Sequence, residues 1–305
     1  MTGSTDSGWF TDTQDLGAFM TDMRAADTRT VSSLDDARSL LTEFAARSDV
    51  SPWTSLDRSD VADRLQELVV SPRSVQQGAL NLCGPATFMC MWTARDPVGF
   101  ATYATQLFET GVGQIGSLEV RPGNDLLTQD FAAMLGRMGG NPTRAADWMV
   151  LGALRNQADA FWQGSWTGDP TQQLAGLTRP EELTSWLQAT GIYAQVHDQG
   201  NWVSPAGLPQ AEGLMFTEGT DVALLIHLNL INTAEHKPKD SDFLLSQFPD
   251  HYVMLLNEVV ADVSSDVVHL SVWTWGENKL DLAVPRQAFI DNYYGSVTAV
   301  LAPSS

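Results

Sequence analysis

The feature that most constrains this chain is a change of periodicity near Gly191. Before it, apolar residues recur at helical spacing; after it, they fall into short β-rich runs. Ser33 stands as an N-cap ahead of Leu34, Ala37, Leu40, Leu41 and Phe44, and Asp57 and Ser59 precede Val61, Leu65, Leu68 and Val69. Further helices are predicted at about 84–94, 98–110, 124–138, 144–163 and 180–189, each bounded by Gly, Pro or Asp. Strands are predicted at 193–196, 222–228, 252–260, 267–275 and 297–301, with V-S-S-D (263–266) turning a hairpin between the third and fourth. Helices followed by an antiparallel sheet define an α+β chain.

With 305 residues, 43% of them hydrophobic, the chain can bury a core without disulfide staples. Residues 1–32 are polar and expected to be loosely held, and 33–305 are expected to form a single domain. Seventeen basic residues against thirty-seven acidic ones give a formal charge of −20, and the only lysines are Lys237, Lys239 and Lys279. Such a surface repels polyanions, so nucleic acid and anionic membranes are excluded as expected partners. The start lacks a basic and an apolar signal region, and no apolar run approaches a membrane span, which places the expectation at cytoplasmic, or exported without a Sec-type signal.

The stretch Q-G-A-L-N-L-C-G-P-A-T-F, Gln77 to Phe88, carries the most chemical information. Gly84 and Pro85 open a helix, so Cys83 sits at its N-terminus, where the helix dipole and unpaired N–H groups favour a thiolate. Cys90 falls on the same face about two turns on, with its Cα roughly 10 Å away, too far for a disulfide. It reads as a buried, inert thiol.

This segment resembles the papain-like cysteine peptidase superfamily, in particular bacterial peptidases of the bacteriocin-processing type. Gln77 lies at that family's spacing before the nucleophile, and C-G-P-A is similar to the opening of its central helix. The resemblance implies a papain-like fold with a helical N-terminal extension and a helical insertion at about 95–190. It also implies that Cys83 attacks a carbonyl while the Gln77 amide and the Cys83 N–H hold the oxyanion. Among His197, His227, His236, His251 and His269, the family's order and strand-start position select His251 as the base. His227 and His269 are expected as structural residues within strands.

In the family an Asn or Asp on the following strand orients the imidazole, but here Trp273 occupies that place in V-H-L-S-V-W-T-W-G-E-N. A hairpin centred between Ser264 and Ser265 puts Asn278 opposite His251 and Glu277 one residue out of register, making Asn278 the expected third member. A Cys–His dyad is the alternative.

The implied activity is cysteine-dependent acyl transfer through a thioester, as a peptidase acting on a protein or peptide. Deamidase, transglutaminase and acyltransferase chemistry use the same residues, and a noncatalytic binding protein with a degenerate triad remains open. A bacterial effector is an analogy at the level of fold. No cofactor is expected. His236 with Asp240 and Asp242 reads as a solvated loop rather than a metal site, and G-V-G-Q-I-G (111–116) follows a helix, which rules out a dinucleotide fingerprint and leaves it as a loop. Trp148, Trp162, Trp166 and Trp186 are expected in the core, with a substrate cleft as the competing assignment.

Overall fold

A computed structural model describes residues 30–138, 142–158, 166–169, 171–172, 176–239 and 248–303. The α+β reading holds: helices come first, followed by a curled antiparallel sheet.

Helices α1 (Leu34–Ala45) and α2 (Arg58–Val70) begin where the caps place them, with the Ser33 side chain accepting from Asp36 N and the Asp57 side chain from Ser59 N and Asp60 N. A 3-10 turn, Pro72–Ser74, leads into the loop that precedes α3 (Cys83–Arg95). Helix α4 (Pro97–Thr110) is capped by Asp96 and closed by Gly111 in the left-handed region (φ 73°). The segment expected as a loop then forms half of a two-stranded hairpin, β1 (Gly113–Ile115) and β2 (Leu118–Val120). Burial of Ile115 and Val120 draws it into the core.

The helix expected over 124–138 is broken. It becomes α5 (Asn124–Leu127) and α6 (Phe131–Arg137), because Asp130 turns out of the helix and caps the second piece through Ala133 N. Helices α7 (Ala145–Gln157) and α8 (Pro180–Ala189) complete the helical half, and the end of the expected 144–163 helix lies outside the described residues.

Among the described residues the sheet has seven strands. They are β3 (Tyr193–Asp198), β4 (Thr220–Ile226), β5 (His251–Leu255), β6 (Val260–Asp262), β7 (Val267–Thr274), β8 (Glu277–Pro285) and β9 (Tyr293–Leu301). Their order is β3-β9-β4-β5-β7-β6, with β8 also on β7, and every pairing is antiparallel. Strand β8 and the short helices α9 (Leu208–Ala211), α10 (Asn229–Ala234) and α11 (Arg286–Asn292) have no counterpart in the sequence expectations. His227 lies just beyond β4 and is buried, whereas His269, on β7, is exposed.

One buried cluster runs from Ala37 in α1 through Trp92, Trp148 and Trp186 to Tyr252 and Leu301, so the helices on both sides of α3 share their core with the sheet. Trp148, Trp166 and Trp186 belong to that core, and Trp162 lies outside the described residues. At the C-terminal end of α3, Arg95 meets Asp221 of β4 through Nε–Oδ2 (2.9 Å) and Nη2–Oδ1 (2.8 Å), and the Tyr193 hydroxyl donates to Asp221 Oδ2 at 2.9 Å. This buried bidentate pair fixes the helix along the sheet and thereby sets where Cys83, at the other end, arrives.

Candidate functional site

Cys83 is the first residue of α3, and Thr178 packs so closely over Gly84 that the helix has no room for a Cβ there. The thiol lies against the first residues of β5, at the end where β5 is no longer paired with β7, the last partners being Met254 and Trp273. Its Sγ donates to the Asp250 carbonyl at 3.6 Å and faces the Tyr252 peptide N–H. The thiol thus engages the residue before His251 and the residue after it. A second bond, from Thr87 Oγ1 to the Tyr252 carbonyl at 3.4 Å, seats the next turn of α3 on the same strand.

Cys83 is 5% exposed and Cys90 is fully enclosed, and both thiols are free. Burial pushes Cys83 up to about 12, against the pull of the Tyr252, Gly84 and Cys83 N–H groups. Burial takes Cys90 to about 12 as well. Removal from water thus outweighs those N–H groups and favours the neutral thiol over the thiolate expected at a helix start.

The His251 ring is buried, with Nε2 2.6 Å from Thr274 Oγ1, and the ring of Trp275 lies tilted against it, 4.4 Å between centroids and 34° between planes. Burial lowers its pKa from 6.5 to about 3, so the imidazole is neutral. Trp275 (φ 52°) and Gly276 (φ 79°) form the two-residue turn from β7 to β8, the geometry that needs positive φ at both positions. Glycine takes this conformation freely. Tryptophan holds it against a strain of about 1–2 kcal/mol.

Asn278 is not opposite His251. It is exposed and pairs with Trp273 across β7 and β8, while Glu277 pairs with Thr274 and bonds Lys279 at 3.0 Å. The expected register does hold near the turn, where Val260 faces His269 and Asp262 faces Val267. It then shifts by two residues, so that Leu255 faces Val272. Between the two stretches the backbone of 257–259 bonds the 214–216 segment, Phe216 N donating to Asn257 O at 2.9 Å and Val259 N to Leu214 O at 3.0 Å, while the Asn257 side chain stays on β7, its Oδ1 accepting from Ser271 N at 2.7 Å. β7 ends at Thr274, whose hydroxyl reaches the imidazole, and the Trp275–Gly276 turn carries Asn278 onto β8.

Gln77 lies in the loop before α3, 5% exposed, and its Oε1 makes no hydrogen bond among the described residues. That loop abuts the Trp275–Gly276 turn, since a Cβ on Gly276 would stand 3.1 Å from the Val75 carbonyl and 3.2 Å from Gln76 Cγ. Sequence reasoning missed Asp250, Thr274 and Trp275. The Trp-Gly pair between two alternating runs was the available signal, because it marks a tight turn beside the histidine strand.

Among the described residues no His, Cys, Asp and Glu cluster could hold a metal ion, and no helix is long and apolar enough to cross a membrane. Asp240 and Asp242 lie outside the described residues. Comparison with protein-family models, curated proteins and solved structures gave no match.

Proposed function

We propose that this chain is a cysteine-dependent acyl-transfer enzyme of papain-like fold, a peptidase in which Cys83 is the nucleophile and His251 the general base and acid. The observation that carries the reading is the thiol's seat between Asp250 O and Tyr252 N–H, on either side of a histidine held by a hydroxyl and an indole ring. With Nε2 committed to Thr274, Nδ1 is the nitrogen that serves the thiol. Thr274 takes the orienting role that the resemblance gave to an Asn.

The resting pair is a neutral thiol and a neutral imidazole. Proton transfer therefore accompanies attack: the S–H proton passes to His251 as sulfur bonds the carbonyl carbon and charge collects on the oxygen. The Cys83 N–H and the Gln77 amide hold that oxyanion. Collapse breaks the C–N bond, His251 gives its proton to the departing amine, and a thioester remains. Water then gives a proton to His251 and adds to the thioester, and the thiolate leaves and recovers that proton as the acid is released. An amine in place of water gives a transferase.

Intact-mass analysis across a panel of blocked peptides and glutamine-containing peptides tests this. A covalent acyl adduct on Cys83, absent in Cys83→Ala and followed by peptide cleavage, is expected. Loss of ammonia from glutamine without cleavage would instead mark a deamidase. No adduct with any substrate would leave a noncatalytic binding protein.

A further inference from the structure

Resting on the reading of Gln77 as an oxyanion donor, we propose that Asp147 and Thr143 are positioning residues that fix the backbone from which the Gln77 side chain projects. Four peptide groups in the four residues before Gln77 are bonded by side chains from elsewhere in the fold. The Arg73 carbonyl accepts from Trp273 Nε1 at 2.6 Å, and the Ser74 carbonyl from Arg64 Nη2 at 2.6 Å. The Gln76 N–H donates to Asp147 Oδ1 at 2.6 Å, and the Gln76 carbonyl accepts from Thr143 Oγ1 at 2.8 Å.

Asp147 does two things at once. It takes the Gln76 N–H and pairs with Arg64 through Nε–Oδ2 (2.6 Å) and Nη2–Oδ1 (3.1 Å), so the guanidinium that holds Ser74 is itself held. Asp147 is fully enclosed, and Arg64 and Thr143 are each 3% exposed. Burying a charge pair is a costly way to satisfy a loop that water could satisfy. Its geometric effect is that both peptide groups of Gln76 are fixed from α7 and the segment entering it, one residue before the donor. Charge stabilisation depends on the donor standing where the oxyanion forms, and a misplacement of about 1 Å is enough to cost a large part of it.

The test is single-turnover acylation of Cys83 by p-nitrophenyl acetate, which forms a thioester and releases p-nitrophenol. Asp147→Ala risks unfolding, so Thr143→Val, which keeps shape and removes one bond, is the informative variant. Gln77→Ala should slow acylation about a hundredfold, as loss of an oxyanion donor does. Thr143→Val should slow it about tenfold with half-saturation unchanged, and Thr143→Ser should restore it. The double variant Gln77→Ala/Thr143→Val should be no slower than Gln77→Ala, because Thr143 acts only through Gln77. A full rate in Thr143→Val, or a loss that multiplies in the double variant, overturns the positioning role alone. An unsubstituted protein that is not acylated on Cys83, or a full rate in Gln77→Ala, overturns the reading of the site and this inference with it.

Discussion

Replacing His251 by Gln should flatten the acid dependence of folding stability. The folded imidazole titrates near 3 and the unfolded one near 6.5, because burial excludes the charged form. The unfolded chain therefore binds the proton first, and the His251 contribution is complete above the unfolded value and lost as pH falls from there towards about 3. Integrating over the drop from pH 7 to pH 5 gives a loss of about 2 kcal/mol from this one group, out of a ceiling of about 5 kcal/mol. Urea unfolding at several pH values, on the unsubstituted protein and on His251→Gln, isolates this share from that of the carboxylates. Stability of the unsubstituted protein should fall more steeply, by about 2 kcal/mol over that range. Parallel curves for the two proteins would show that the folded imidazole accepts a proton as readily as the unfolded one, and the neutral, buried base would be refuted.

Thr274→Val should slow acylation of Cys83 about tenfold or more, whereas Asn278→Ala should match the unsubstituted protein, since only the threonine reaches the imidazole; the reverse result would restore the other register. Trp275→Asn should stabilise the turn by about 1 kcal/mol in urea, since Asn suits positive φ, while slowing acylation as His251 loses the ring packed against it; a less stable variant would show that the ring's packing outweighs the backbone strain. Arg95→Met should cost about 3–5 kcal/mol by leaving Asp221 buried without its partner, and adding Asp221→Leu should recover much of that. Equal losses in the single and double variants would assign the effect to packing and to the Thr217 and Glu218 carbonyls that Arg95 also holds.

Helices α1 to α4 were legible in the sequence because their signals are local. Ser33, Asp57, Asp96 and Gly111 act on peptide groups within a few residues of themselves, so α1, α2 and α4 begin or end where those residues stand. The same holds for Cys83 at the start of α3 and for the V-S-S-D turn before β7. What lay beyond the sequence depends on chains distant in sequence meeting in space. Pairing near the V-S-S-D turn follows the expected register, yet it has shifted by two residues where β5 meets β7, and β7 ends at Thr274, so Thr274 and not Asn278 of β8 reaches His251. The thiolate expected at a helix start is a local deduction overruled by burial against β5, which no helical pattern encodes. Asp147 and Thr143 carry no motif, and their bonds to Gln76 exist only because α7 packs beside the loop. Capping and turn chemistry act over a few residues and can be read along the chain, whereas register, desolvation and side-chain bonds to distant backbone arise only once the core has closed around them.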